Sequence, residues 1–331
     1  NKKSSQGELN ELRNRTREYA ISKSEMPVGF YSLNLPTGMG KTLTSLSWGV
    51  YHAKYNKLKR IIIVLPYINI IDQTADILKK IFGNSNVLEH HSGIGEAVNL
   101  TEKIKDKEYN RRLACENWNY PLIITTTVQF FESLFSNKPS KCRKIHNISE
   151  SVVIFDEVQT LPKDIIIPTL TMLENLTAVM KTSFLFCTAT LPAFEKRDYF
   201  QGIESIHHLI DNPEELFDKT RRVTYHSINN YEPVEFNELA SVAEKQNCSI
   251  LAVFNTKESA KQFFFNASQI DVWTNHYHLS TAMCPAHRKD IIRNIKRDLE
   301  ENKKIIVSST QLIEAGVDFD FPCVFREMAP L

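Results

Sequence analysis

The sequence predicts an α/β fold made of parallel sheets covered by helices on both sides. Short β-branched and aromatic runs alternate with stretches of helical periodicity along the chain. The runs are apolar at successive positions, so each strand buries both faces, as a parallel sheet between two helix layers requires. At 331 residues the chain exceeds the roughly 250–300 that a single core organises, so two lobes are expected.

Taken in order, residues 1–7 are polar enough to fray. A strand at 31–35 runs through a glycine-bearing loop into a helix at 41–55. Strands at 61–65, 122–126, 152–155 and 184–187 follow, with helices at 70–82, 128–135 and 165–180 between them. The passage 201–235 is polar and irregular and contains Asp211-Asn212-Pro213 and Arg221-Arg222. It is expected to separate a first lobe, 1–210, from a second, 236–331, with 211–235 as the linker. The second lobe has strands at 250–254, 305–309 and 323–325. Its helices at 257–265 and 287–301 have start signals at Thr256 and Pro285.

Composition narrows the function classes. With 40 Lys+Arg against 39 Asp+Glu the net charge is +1, which argues against a histone-like or tail-driven nucleic-acid binder but leaves room for a local phosphate cleft. The six cysteines are scattered without a C-x-x-C, so free thiols in a reducing compartment are expected. The longest apolar run, 61–71, is interrupted by Pro66 and Asn69 and is too short to span a bilayer; with no signal peptide evident, a cytoplasmic location and no membrane partner are expected. Asn1 in place of Met suggests a piece of a longer protein. His90-His91 and His207-His208 lack Cys, Asp or Glu at ligand spacing and read as structural; Phe263-Phe264-Phe265 reads as core packing.

Glycine is scarce, ten residues where average usage of about 7% gives roughly 23. Two of the ten lie one residue apart in Leu35-Pro36-Thr37-Gly38-Met39-Gly40-Lys41-Thr42, between strand and helix. Such a loop aims successive backbone N–H groups at a phosphate, and the helix N-terminus adds partial positive charge. Gly38 and Gly40 allow the close approach, Lys41 reaches the β/γ-phosphates, and the Thr42 hydroxyl suits Mg²⁺. The strict pattern G-x-x-x-x-G-K-[ST] is not met, since Leu35 occupies its first glycine position.

The loop needs an acidic partner at a neighbouring strand end, and Val152-Val153-Ile154-Phe155-Asp156-Glu157-Val158-Gln159 supplies it. Asp156 is assigned to Mg²⁺, Glu157 to the attacking water as base or positioning group, and Gln159 to a link between nucleotide and moving parts. ATP and Mg²⁺ are the cofactors this implies.

These motifs, with Thr188-Ala189-Thr190 and the run from Ser309 to Asp318, resemble in order and spacing those of superfamily 2 helicases. The wording is most similar to the helicase portion of the CRISPR-associated nuclease-helicase of type I interference systems. Leu65-Pro66-Tyr67, Thr125-Thr126-Thr127-Val128 and Asp156-Glu157-Val158-Gln159, where other families have DEAD or DEAH, carry that likeness.

The resemblance implies two tandem RecA-like lobes with ATP between them and ATP-driven translocation along single-stranded DNA. Pro36, Thr37, Gly38, Met39, Gly40, Lys41 and Thr42 would hold nucleotide, with Gly316 and Asp318 approaching from the second lobe. Pro66, Tyr67, Thr126, Thr127, Asn255, Thr256, Thr310 and Gln311 would line the DNA track, and Thr188 and Thr190 would couple the two sites. It further implies a CRISPR surveillance complex as partner and an HD-type nuclease domain, fused or separate. No His-Asp dipeptide occurs in the chain, so no nuclease is expected within it, and the second lobe is expected to stop before the motif that supplies transition-state arginines. A helicase of another superfamily 2 branch, acting on RNA or in repair, and a nucleotide-binding interaction module remain the alternatives.

Overall fold

The computed structural model describes residues 2–92, 113–190, 192–221, 223–314 and 319–328. The chain divides into two compact units, Asn1–Arg222 and Val223–Leu331.

The first unit opens with helix α1 (Lys2–Ser22), followed by β1 (Phe30–Asn34), α2 (Lys41–Tyr55), β2 (Arg60–Leu65), α3 (Ile68–Phe82) and β3 (Val87–His90). Next come β4 (Leu122–Thr126), α4 (Thr127–Phe135), β5 (Ser151–Asp156), α5 (Ile166–Met180), β6 (Ser183–Thr188), β7 (His207–His208) and α6 (Pro213–Lys219). Among the described residues, seven strands pair in the order β3-β4-β2-β5-β6-β1-β7, and every pairing is parallel. Alternation along the strands feeds two cores. Tyr31, Leu33, Ile61, Ile63, Val152, Ile154 and Leu185 face α1, α2 and α3. Ile62, Val64, Val153, Phe155, Phe184 and Phe186 face α4 and α5. With both faces covered, an uninterrupted apolar run is the pattern the sheet demands.

The second unit contains α7 (Phe236–Lys245), β8 (Ile250–Phe254), α8 (Lys257–Ala267), β9 (Asn275–Leu279), α9 (Pro285–Glu300), β10 (Ile305–Thr310) and β11 (Cys323–Arg326). Its strands pair in parallel in the order β11-β8-β10-β9. Ala240 and Ala243 of α7 and Ala260 and Phe263 of α8 pack on one face; Ile295 of α9 packs on the other. No helix among the described residues is long and apolar enough to cross a membrane.

Several elements differ from the sequence expectation. Residues 1–7, expected to fray, fall largely within α1, a helix of 21 residues from Lys2. The helix is held further along: Ala20 is fully buried, Leu9 and Leu12 pack against the same core, and Lys23 beyond its end donates to the His208 carbonyl at 3.0 Å. The passage 201–235 contains β7 and α6 as well as irregular chain. The first strand ends at Asn34; Leu35 is already loop, fully buried, with its N–H donated to the Thr188 carbonyl at 3.3 Å.

Candidate functional site

Sheet order decides which strand ends meet. β1 lies beside β6, and β6 beside β5, so the loop after β1, Asp156 at the end of β5 and Thr188 at the end of β6 share one edge. This is the carboxyl edge, where open α/β sheets bind ligands.

The loop from Leu35 to Gly40 is built on two left-handed residues. Gly38 has φ 83° and Gly40 φ 76°, values that any side chain would strain. Buried Met39 anchors the loop, and its N–H donates to the Pro36 carbonyl at 3.2 Å. Pro36 is buried, while Thr37 and Gly38 are exposed. Gly40 caps α2 without a side-chain cap, leaving the first-turn N–H groups of that helix available to an anion.

Lys41, the first residue of α2, donates from Nζ to Glu157 Oε1 at 2.9 Å. Glu157 reaches it because the chain leaves β5 in the left-handed region, at φ 50° for Glu157. That conformation costs a non-glycine residue about 1–2 kcal/mol, so the surrounding contacts must hold it. The second carboxylate oxygen accepts from Gln159 Nε2 at 2.6 Å, and Gln159 Oε1 accepts from Thr188 Oγ1 at 2.6 Å. Thr188 Oγ1 also lies 2.9 Å from the Thr190 carbonyl and accepts from Thr190 N–H at 3.0 Å. Because a hydroxyl has one proton, Thr188 donates either to Gln159 or to Thr190, never to both. A polar chain therefore runs from Lys41 through Glu157, Gln159 and Thr188 to Thr190.

Electrostatics separate the two carboxyl groups. Burial pushes Asp156 above the ordinary aspartate value; Lys41 pulls it down and Glu157 pushes it further up. For Glu157, burial also raises the value, but hydrogen bonds from Gln159 and Lys41 outweigh it and hold the carboxyl below its ordinary range. Asp156 is paired across the sheet with Cys187, whose thiol burial keeps protonated. Among the described residues, Asp156 accepts one hydrogen bond, from the Glu157 N–H at 3.1 Å. Half-buried and so sparsely compensated, the Asp156 carboxylate has the chemistry of a hard-cation ligand, and the Thr42 hydroxyl at the start of α2 offers a second oxygen. These residues suit Mg²⁺.

The residues expected to line a nucleic-acid track fall at the carboxyl ends of adjacent strands within each unit. Pro66 and Tyr67 follow β2, and Thr126 and Thr127 end the neighbouring β4 and open α4. Tyr67 is 47% exposed and opens α3 without a side-chain cap. Thr126 caps α4, accepting from Gln129 N–H at 3.1 Å, and Thr127 Oγ1 donates to the Leu65 carbonyl at 3.3 Å. In the second unit Asn255 and Thr256 follow β8, while Thr310 ends β10 and Gln311 follows it. Thr256 caps α8 by accepting from Ser259 N–H at 3.0 Å. The Asn255 amide is held by the Met328 carbonyl at 2.6 Å and by Arg326 at 3.0 Å, so it must be released before it can bind anything else. Buried Thr310 leaves exposed Gln311 as the reachable member of that pair. Gly316 and Asp318 lie outside the described residues.

Sequence reasoning missed Arg13. From α1 it reaches the phosphate loop, donating from Nε and Nη2 to the Gly38 carbonyl at 2.8 and 2.5 Å. The spacing of Leu9, Leu12, Thr16 and Ala20 is the helical signal that could have placed it.

Residues 22–199 match the family model described as DEAD/DEAH box helicase, and residues 246–331 match that described as CRISPR-associated nuclease/helicase Cas3, C-terminal. The CRISPR-associated nuclease/helicase Cas3 of Haloferax volcanii is 24% identical, across 98% of this chain and 46% of its own length. The crystal structure of T. fusca Cas3-ATP is similar over 94% of this chain and 41% of that one, with a TM-score of 0.69 at 15% identity. A CRISPR RNA-guided surveillance complex in a pre-nicking state contains a chain similar over 96% of this one and 40% of its own, with a TM-score of 0.62 at 14% identity. The chain spans less than half the length of the curated relatives it matches.

Proposed function

From the premise that this chain belongs to the DEAD/DEAH box helicase family, whose model covers residues 22–199, we propose that it is a nucleic-acid-dependent ATPase that moves along single-stranded DNA and unwinds the target duplex in CRISPR type I interference. The observation that carries the reading is the polar chain Lys41–Glu157–Gln159–Thr188, which joins the phosphate loop to two other strand ends.

The residues suggest an order of events. A polyphosphate on the loop N–H groups competes with Glu157 for Lys41, because the ammonium is one cation facing two anions. Drawn to phosphate, Lys41 leaves Glu157 unpaired on one oxygen and free to accept a proton from water. Gln159, still bonded to the other oxygen, senses that change and passes it to Thr188, whose single proton selects between Gln159 and Thr190. Mg²⁺ on Asp156 and Thr42 would neutralise charge developing on the phosphate oxygens. Exposed Tyr67 and the open N-terminus of α3 suit a single strand bound by stacking and phosphate contact, without reading sequence. Lysine and arginine at a basic tail are not needed for such a track, consistent with a net charge of +1.

The reading extends to a surveillance complex as partner, an HD-type nuclease acting with the helicase and a cytoplasmic setting; the nuclease/helicase name of the Cas3 relatives and the similarity to a chain in a surveillance complex support the nuclease and the partner. ATP turnover by wild type and Lys41→Ala, with and without single-stranded DNA, tests the proposal. Stimulation by DNA, and a fall of about 10²–10³-fold on losing Lys41, are expected. Stimulation by RNA and not DNA would sink the DNA assignment, and unchanged turnover by Lys41→Ala would sink the site.

A further inference from the structure

The phosphate loop is gripped from outside by a residue that belongs to none of the helicase motifs. Arg13 directs two guanidinium N–H groups at one acceptor, the Gly38 carbonyl, and donates from Nη1 to Asn10 Oδ1 at 2.8 Å. The other end of the same peptide unit, Met39 N–H, donates to the Pro36 carbonyl. The Gly38–Met39 peptide is thus fixed at both ends, in the stretch where two glycines at positive φ leave the backbone least restrained by its own side chains.

We propose that Arg13 is a positioning residue of the nucleotide site, holding the phosphate loop in its anion-binding shape and so setting the affinity for the polyphosphate of a nucleoside triphosphate. The inference rests on the reading of this loop as an ATP site. Fixing a residue's backbone costs about 1–2 kcal/mol, and a loop ordered before its ligand arrives does not meet that cost on binding. The guanidinium suits the task because its N–H groups are set in a rigid fork; an ammonium on a flexible stem supplies charge without that geometry. Its placement does not depend on the loop. α1 is seated by Leu9, Leu12 and Ala20, and by Tyr19 and Lys23, both bonded to Asp211. Loss of the Arg13 side chain therefore leaves the helix docked.

The experiment is a titration of the full 331-residue chain with a fluorescent ATP analogue, comparing wild type, Lys41→Ala, Arg13→Ala and Arg13→Lys, with thermal midpoints alongside. We expect Arg13→Ala to weaken binding about 5–30-fold, the factor that corresponds to ordering one residue's backbone on binding. In turnover assays its KM for ATP should rise by the same factor while kcat stays within about twofold, since Arg13 touches no reacting atom. Arg13→Lys should recover only part of the loss. Wild-type binding matched by Arg13→Ala at an unchanged midpoint would overturn this inference alone, as would Arg13→Lys indistinguishable from wild type. Should Arg13→Ala not fold, Arg13→Lys decides, and it must bind more weakly than wild type. If wild type itself does not bind the analogue, the ATP-site reading fails and the inference with it.

Discussion

Glu157 holds Lys41 with one oxygen and Gln159 with the other, so its charge is fully engaged before any substrate is present. On the proposed reading, Glu157 acts as base only once a stronger anion draws the lysine away. Replacing it separates binding from chemistry. Glu157→Gln keeps the shape but removes the base and one competitor for Lys41. We expect ATP binding at least as tight as wild type and hydrolysis lower by about 10²–10⁴-fold, measured by analogue titration and phosphate release. Hydrolysis within tenfold of wild type would exclude Glu157 as the base. Burial pushes the Glu157 carboxyl up, but hydrogen bonds from Gln159 and Lys41 outweigh it, so in the nucleotide-free protein the carboxylate persists into mild acid; the Lys41 share is lost once the lysine turns to phosphate. That Lys41, Asp156, Glu157 and Gln159 gather at one edge of the sheet was readable in the sequence, because a glycine-bearing loop and an acidic dipeptide each follow a buried strand. The place of Arg13 was not, because an arginine on a polar helix has many uses. Nor could residue types alone show that Asn255, Thr127 and Thr126 already hold local partners.

Helix α2 both opens the site and carries a fully buried histidine. His52, fully buried, stacks on Trp48 and lies edge-on to Tyr31. Its Nδ1 donates to the Ser24 carbonyl at 2.9 Å, and its Nε2 accepts from Ser183 Oγ at 2.8 Å. The carbonyl can only accept, so this is the neutral Nδ1–H tautomer. Burial lowers the pKa from 6.5 to about 4, a fall the Ser24 contact only partly offsets, and His90 behaves likewise. The unfolded chain thus gains these protons near pH 6.5 and the folded chain only near 4. Stability is complete above that window and declines as pH falls through it, by up to about 1.4 kcal/mol per pH unit for each group. Urea midpoints between pH 7 and 4 should show the decline, and His52→Gln should flatten part of it; a flat wild-type profile would contradict the neutral assignment. At this scale the strands with both faces apolar were legible. Asn275–Leu279 was not, since only Leu279 of its five residues is fully enclosed, and the two-residue pairing at His207–His208 leaves no pattern to find. α1 escaped because its buried positions are sparse and its polar opening dominates the reading.

Each unit carries its own parallel sheet with helices on both faces and its own cores, so each has what independent folding requires. Every described residue assigned to nucleotide, from Arg13 through the loop to Asp156, Glu157, Gln159 and Thr188, belongs to the first unit. Nucleotide affinity should then rest chiefly on residues 1–222, with Gly316 and Asp318 of the second unit adding little to ground-state binding. We expect that fragment to bind an ATP analogue within about threefold of the whole chain, a difference of less than about 1 kcal/mol. It should also lose that affinity on Lys41→Ala as the whole chain does. DNA-dependent turnover is a different matter, because four of the proposed track residues, Asn255, Thr256, Thr310 and Gln311, lie in the second unit. The fragment should therefore retain binding and lose stimulation by single-stranded DNA. A folded fragment with no affinity would mean that nucleotide is held by residues beyond Arg222. One stimulated as fully as the whole chain would remove the second unit's strand ends from the track.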